Sequence, residues 1–339
     1  MNKSLITVIF VIFLTACEFS TKNSTYPLHF SDATMGTRYT IKVTSIPGSV
    51  NKDELISQIK SRLDSIDGKM STYRVDSELS QFNQSRSLQW QDVSSSLFKV
   101  LKEAKHINQL TGGAFDITVA PLVNLWGFGS DPMTNAVPAN EVIDAVLKNT
   151  GSDYLQLNEE TQQIKKDIPD LHLDLSAIAK GYAVDQVSEL LEKNGIVDYM
   201  VEIGGELRLK GKNILNNPWR IAIEKPDAGT RTIQKVLPLS DISMATSGDY
   251  RNYFEVDDVR YSHTIDPRTG RPISHKLASI TILSDTSMEA DAMATGLMVL
   301  GPEQGYQLAQ EKQILALFIS KAKDGFLEKA TSAFMEKLE

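Results

Sequence analysis

The stretch from Leu171 to Gly195, LHLDLSAIAKGYAVDQVSELLEKNG, constrains the fold more than any other. Leu171, Leu173 and Leu175 alternate with His172 and Asp174, the period of a strand with one buried face. Ser176 is a suitable N-cap for a helix starting just after it. Ala179, Ala183, Val184, Val187, Leu190 and Leu191 recur at helical spacing, and Gly195 supplies a C-terminal stop. The stretch reads as a buried strand, a sharp turn and a helix. Lys180 is out of place, because the first turn of a helix disfavours a cation. Two readings stand. An anion such as phosphate docks at Ser176–Lys180, held by exposed N–H groups and the ammonium together, with Asp174 leading into the site. Alternatively, Lys180 is a solvated charge on an ordinary strand–helix unit.

A second constellation lies near the C-terminus. Thr286 and Glu289 have the spacing of a capping box, opening a helix predicted to end at Gly301-Pro302. From Ala290 this helix is almost wholly apolar, broken by Asp291 and Thr295, which share a face at i and i+4. A carboxylate buried there needs a partner, since an unpaired one costs several kcal/mol. Aspartate and threonine one turn apart are hard oxygen donors suited to magnesium. The competing reading pairs Asp291 with an arginine or a backbone N–H and lets Thr295 bond its own helix.

Elsewhere hairpins and helices are interspersed. Phe30–Met35 and Tyr39–Thr44 read as strands around a break at Met35-Gly36-Thr37. Asn51 caps a helix with Ile56, Ile59, Leu63 and Ile66 inward, and Met70–Arg74 forms a loop containing Tyr73. Ser94 opens a helix that stops at Gly112-Gly113. Ala114, Phe115 and Asp116 come next, a carboxylate placed either to meet a ligand or to close a turn. Tyr154–Leu157 and Gln162–Lys166 form a hairpin, and strands are expected at Tyr199–Ile203, Glu206–Lys210, Trp219–Glu224, Leu277–Leu283 and Ile314–Ser320. A hairpin turning at Asp257-Asp258 carries His263, a general base if it faces a cleft and otherwise a structural histidine. This mixture predicts an α+β fold with mixed or antiparallel sheets and packed helices rather than a regular βαβ series.

Exclusions narrow the chemistry. No Walker A pattern occurs, and Gly127 and Gly129 do not begin a dinucleotide fingerprint. With 43 acidic against 35 basic residues and a net charge of −8, nucleic acid is not the expected partner. One cysteine excludes an intrachain disulfide and a zinc cluster. That cysteine closes MNKSLITVIFVIFLTAC, in which Lys3 precedes the short apolar run Leu5–Leu14. The run falls short of the roughly 20 apolar residues that span a bilayer. It fits a signal peptide over residues 1–16, or, alternatively, an uncleaved anchor. Leu14-Thr15-Ala16-Cys17 resembles a bacterial lipobox, so Cys17 is the expected lipidated N-terminus and residues 17–29 a tether. The body, residues 30–339, is then expected on the periplasmic or extracytoplasmic face of the bacterial cell membrane, held by its acyl chains.

Eight motifs in order carry a family resemblance: Met35–Thr37, Met70–Arg74, Thr111–Asp116, Leu173–Asp185, Ile203–Glu206, Ser247–Tyr250, His263–Gly270 and Glu289–Leu297. Together the chain resembles the ApbE family of FAD:protein FMN transferases, bacterial lipoproteins with a single T-fold-like catalytic body. The resemblance implies magnesium-dependent transfer of the FMN half of FAD onto a threonine hydroxyl of an acceptor protein, with AMP released. It implies acceptors among subunits of membrane redox complexes of the NADH:quinone reductase or Rnf type. Carried over by motif, Met35, Tyr73, Ala114, Phe115, Asp116, Asp174, Lys180 and Ile265 would contact FAD. The Ala177 carbonyl, Asp291 and Thr295 would hold magnesium, and His263 would activate the acceptor hydroxyl. An FAD pyrophosphatase would share every one of these residues, and a non-enzymatic flavin-binding lipoprotein would need no metal at the pyrophosphate.

Overall fold

Alternating apolar residues assemble an eight-stranded antiparallel sheet whose spatial order follows the chain: Leu28–Thr34, Thr37–Val43, Tyr199–Ile203, Glu206–Lys210, Ile242–Gly248, Leu277–Ser284, Leu315–Ala322 and Gly325–Ala330. The computed structural model describes residues 26–129, 137–227, 232–249, 253–257 and 259–339. The first two strands join through Met35 and Gly36, both at positive φ (47° and 70°), the conformation that tight hairpins demand. Between the second and third strands the chain leaves the sheet for the helices Lys52–Met70, Glu78–Gln84, Ser95–Leu110 and Ala179–Lys193. These helices, with Ser287–Glu311, cover one face of the sheet over a core that includes Tyr39, Ile41, Val201, Val184 and Met298. The hairpin Trp219–Glu224 and Ile233–Leu239 and the helix Ser332–Leu338 cover the other face, burying Trp219, Leu237 and Phe334. Leu277–Ser284 is therefore covered on both sides, and every residue from Leu277 to Leu283 is buried, the polar Ser279 and Thr281 included. The expected α+β class with antiparallel sheets and packed helices is what the chain adopts.

Two local expectations need correction. Leu171–Leu175 is extended and buried but joins no sheet. Single groups complete its backbone bonding instead. Asn83 accepts from the Leu173 N–H (2.8 Å) and donates to the Leu173 carbonyl (2.9 Å), and the Asp174 N–H donates to the Ile117 carbonyl (2.7 Å). Ser176 does not cap the helix: its N–H and hydroxyl both turn back to Asp174 Oδ1, and helix begins at Ala179. The helix that Thr286 opens ends at Gly301 as expected, where φ is 79°, and a second helical run starts at Pro302 and continues to Glu311. The hairpin expected around Asp257 is present, Tyr253–Val256 pairing with Val259–Ser262. Residues 1–25, including Cys17, as well as Tyr250 and Asp258, lie outside the described residues. No described helix is long and apolar enough to cross a membrane.

Lys166 anchors the start of this extended segment. Fully buried, it donates to the carbonyls of Phe82 (3.1 Å), Asn83 (3.4 Å) and Leu171 (3.4 Å), and burial lowers its pKa below the usual lysine range. Lys166→Met leaves three carbonyls short of a donor. It is expected to lower stability by about 2–3 kcal/mol, read as a shifted denaturation midpoint with unchanged m-value. An unshifted midpoint would show that the three carbonyls do not depend on the ammonium.

Candidate active site

Two helices cross at the site, and their sequences make the crossing close. A Cβ on Gly181 would lie 2.2 Å from the Ser287 carbonyl oxygen, so backbone meets backbone there. This contact carries Asp291 to the start of the helix Ala179–Lys193. Its Oδ2 accepts the Gly181 N–H at 3.0 Å and stands 3.5 Å from Lys180 Nζ. The anion that the sequence calls for at this helix start is thus matched by the protein's own carboxylate, and the orphan donor of the first turn is capped from a neighbouring helix.

Lys180 also donates to the Ser176 carbonyl at 2.9 Å and lies 3.5 Å from Glu206 Oε1. Burial alone would lower its pKa, but Asp291 and Glu206 outweigh burial and hold the ammonium above the usual lysine range. Glu206 is 5% exposed, and its Oε2 has no hydrogen-bond partner among the described residues. Burial raises its pKa to about 8 against the pull of Lys180, with Asp291 pushing the same way as burial. Sequence reasoning missed Glu206 as a site residue. The signal was present: Glu206, Arg208 and Lys210 share one strand face and pair in turn with Lys180, Asp185 and Glu192 of the same helix.

The oxygen donors at the crossing suit a hard divalent cation. Because the Gly181 N–H goes to Asp291, the Ala177 carbonyl four residues back receives no hydrogen bond among the described residues. Asp291 is 4% exposed, and the Thr295 hydroxyl one turn on lies 3.3 Å from Ser247 Oγ. One carbonyl, one carboxylate and one hydroxyl leave coordination positions for water or phosphate, as magnesium prefers. Among the described residues no cluster of three His, Cys, Asp or Glu could hold a metal, so a softer, all-side-chain site is not on offer.

Ala177, Lys180, Glu206, Asp291 and Thr295 form one wall of a cavity of about 660 Å³. Tyr73, Ala114, Phe115, Asp116, Asp174, His263 and Ile265 line the same cavity, so all but one of the expected body residues converge. Met35 is the exception: it sits in the hairpin turn, outside the cavity lining. Tyr73 is 76% exposed at the cavity's edge. Asp116 braces its own loop, accepting from the Thr118 N–H (2.8 Å) and hydroxyl (2.7 Å) through Oδ1 and from the Ser152 N–H (3.0 Å) through Oδ2. Burial raises its pKa against those bonds. His263 lies just past the strand Val259–Ser262, its ring 6.3 Å from Phe128 in an edge-on contact. Its support has no signature in the local sequence: Phe128, Phe254, Tyr261 and Trp126 stack in series at 5.2–5.6 Å, and Trp126 Nε1 donates to the Gly270 carbonyl at 2.8 Å.

Comparison with known proteins agrees with this fold. The ApbE family model matches residues 35–319. The chain is 48% identical to the FAD:protein FMN transferase of Vibrio cholerae over 98% of each chain. It is 43% identical to that of Haemophilus influenzae over 99% of this chain and 97% of the other. Among solved structures, the flavin transferase ApbE from Vibrio cholerae superposes with a TM-score of 0.85 at 48% identity, covering 91% of this chain and 98% of that one. The apo flavinyl transferase ApbE of Pseudomonas stutzeri superposes at 0.83 with 38% identity, covering 92% of this chain and 96% of that one. The chain belongs to the ApbE family.

Proposed function

We propose that this chain moves the FMN half of FAD, with magnesium, onto a threonine hydroxyl of an acceptor protein and releases AMP. The observation that carries the reading is the wall at the helix crossing. A cation, Lys180, and a set of hard oxygen donors stand together beside a cavity large enough for a dinucleotide, the arrangement a pyrophosphate requires. Ala177, Asp291 and Thr295 would hold the magnesium, which when bound supplies charge neutralisation at the phosphates. Lys180 binds and orients the pyrophosphate. Tyr73, Phe115 and Ile265 offer apolar surface to the rings. His263, held edge-on by Phe128, receives the proton of the acceptor hydroxyl at a ring nitrogen. Transfer of this kind depends mainly on positioning and electrostatics, which a rigid crossing of two helices supplies. In this reading the leader and Cys17 tether the body to the outer face of the cell membrane, where subunits of NADH:quinone reductase or Rnf-type redox complexes serve as acceptors.

The test incubates the purified protein with FAD, magnesium and such an acceptor subunit. Covalent FMN on an acceptor threonine with stoichiometric AMP is the expected result. Free FMN plus AMP with no adduct would make the protein a pyrophosphatase, and intact FAD would make it a carrier.

A further inference from the structure

The helix crossing carries more hydrogen bonding than the cavity uses. Asp185, five residues beyond Lys180, is 4% exposed and does not line the cavity. Its Oδ1 accepts the Ser287 N–H and its Oδ2 the Met288 N–H, both at 2.9 Å. These are the first two residues of the helix Ser287–Glu311, and the third orphan donor, the Glu289 N–H, goes to Thr286 Oγ1 at 3.3 Å. The exchange is reciprocal: each helix lends a carboxylate to the start of the other, Asp185 to Ser287 and Met288, Asp291 to Gly181.

Asp185 is itself held. Arg208 Nη1 lies 3.0 Å from its Oδ1, on the strand that also presents Glu206 to Lys180. Sheet, lysine-bearing helix and aspartate-bearing helix are therefore referred to one carboxylate. A helix advances 1.5 Å per residue, so where its N-terminus is pinned fixes how far along its axis every later side chain stands. Asp291 and Thr295 come within about two turns of the pinned residues. Resting on the proposed transfer function, the geometry points to Asp185 as the positioning residue of the cation site. It sets the depth at which Asp291 and Thr295 meet the Ala177 carbonyl, without itself touching cation or substrate.

The experiment titrates the protein with manganese in the presence of FAD and reads bound metal by electron paramagnetic resonance, independent of turnover. Asp185→Ala is expected to weaken manganese binding roughly 10- to 100-fold, the range for residues that orient metal ligands from behind. Asp185→Asn retains one acceptor oxygen for the helix start and is expected to fall between Asp185→Ala and the parent; it carries the test if the alanine variant is insoluble. Ile223→Ala, in the core on the far face of the sheet, serves as a control that lowers stability alone and is expected to bind manganese as the parent does. Parent-like affinity in the Asp185 variants would overturn the positioning role. So would an equal loss in the Ile223 control, which would reduce the effect to general destabilisation. A parent protein that binds no manganese would overturn the cation site itself, and the inference with it.

Discussion

Asp291→Ala is expected to lower FMN transfer by roughly 100- to 1,000-fold, the scale for removing one preorganised charge from a reacting anionic centre. The side chain has two duties that separate experimentally. As an acceptor it caps the Gly181 N–H at 3.0 Å; as a charge it faces Lys180 and offers a hard oxygen beside Ala177 and Thr295. Asp291→Asn keeps an oxygen for the cap but removes the charge. The asparagine variant should hold parent stability to within about 1 kcal/mol, the worth of such a cap, while losing transfer as fully as the alanine variant. Loss of activity with retained midpoint would assign Asp291 to cation and phosphate chemistry. Full transfer by the asparagine variant, with no dependence on added magnesium, would leave only the structural cap and sink the metal reading.

Much of this was legible in local pattern. The strand ladder tracks alternation, as in Tyr39, Ile41 and Val43, while the oddly placed Lys180 meets the carboxylate of Asp291, a partner its own stretch of sequence does not name. What local pattern hides is which groups meet across the chain. Nothing in Leu171–Leu175 says that its backbone is completed by one asparagine, Asn83, and one carbonyl, Ile117, rather than by a sheet neighbour; an extended buried segment reads the same either way. The two readings of Asp291, backbone partner or metal ligand, proved compatible, because a carboxylate has two oxygens and the Gly181 N–H uses one. Glu206 escaped notice because a glutamate opening a strand reads as a solvated edge residue; only the ladder of Glu206, Arg208 and Lys210 against one helix shows that it points inward. The aromatic series behind His263 was invisible for the same reason, since Trp126 and Phe128 are more than a hundred residues from Phe254 and Tyr261.

Gly181 gives the sharpest test of the crossing, because local and tertiary physics demand opposite signs. The residue lies within the helix Ala179–Lys193 and has ordinary helical backbone, so propensity alone predicts that Gly181→Ala stabilises the chain by about 0.5–1 kcal/mol. The packing predicts the reverse. The new methyl carbon would stand 2.2 Å from the Ser287 carbonyl oxygen, 2.6 Å from its carbon and 2.7 Å from Met288 Cα. All three are backbone atoms at the pinned start of the other helix, so no side chain can swing aside and one helix must shift. The expected cost is about 3 kcal/mol or more, read from the denaturation midpoint. Transfer should fall with it, since the shift draws Asp291 from Gly181 and Lys180. Gly36→Ala is the contrasting case: φ is 70° and nothing lies within 4 Å of the added carbon, so the cost there is the left-handed backbone alone, about 1–2 kcal/mol, with the site intact. A Gly181→Ala variant as stable as the parent would mean that the helices do not touch there, and the wall built on their contact would fall with it.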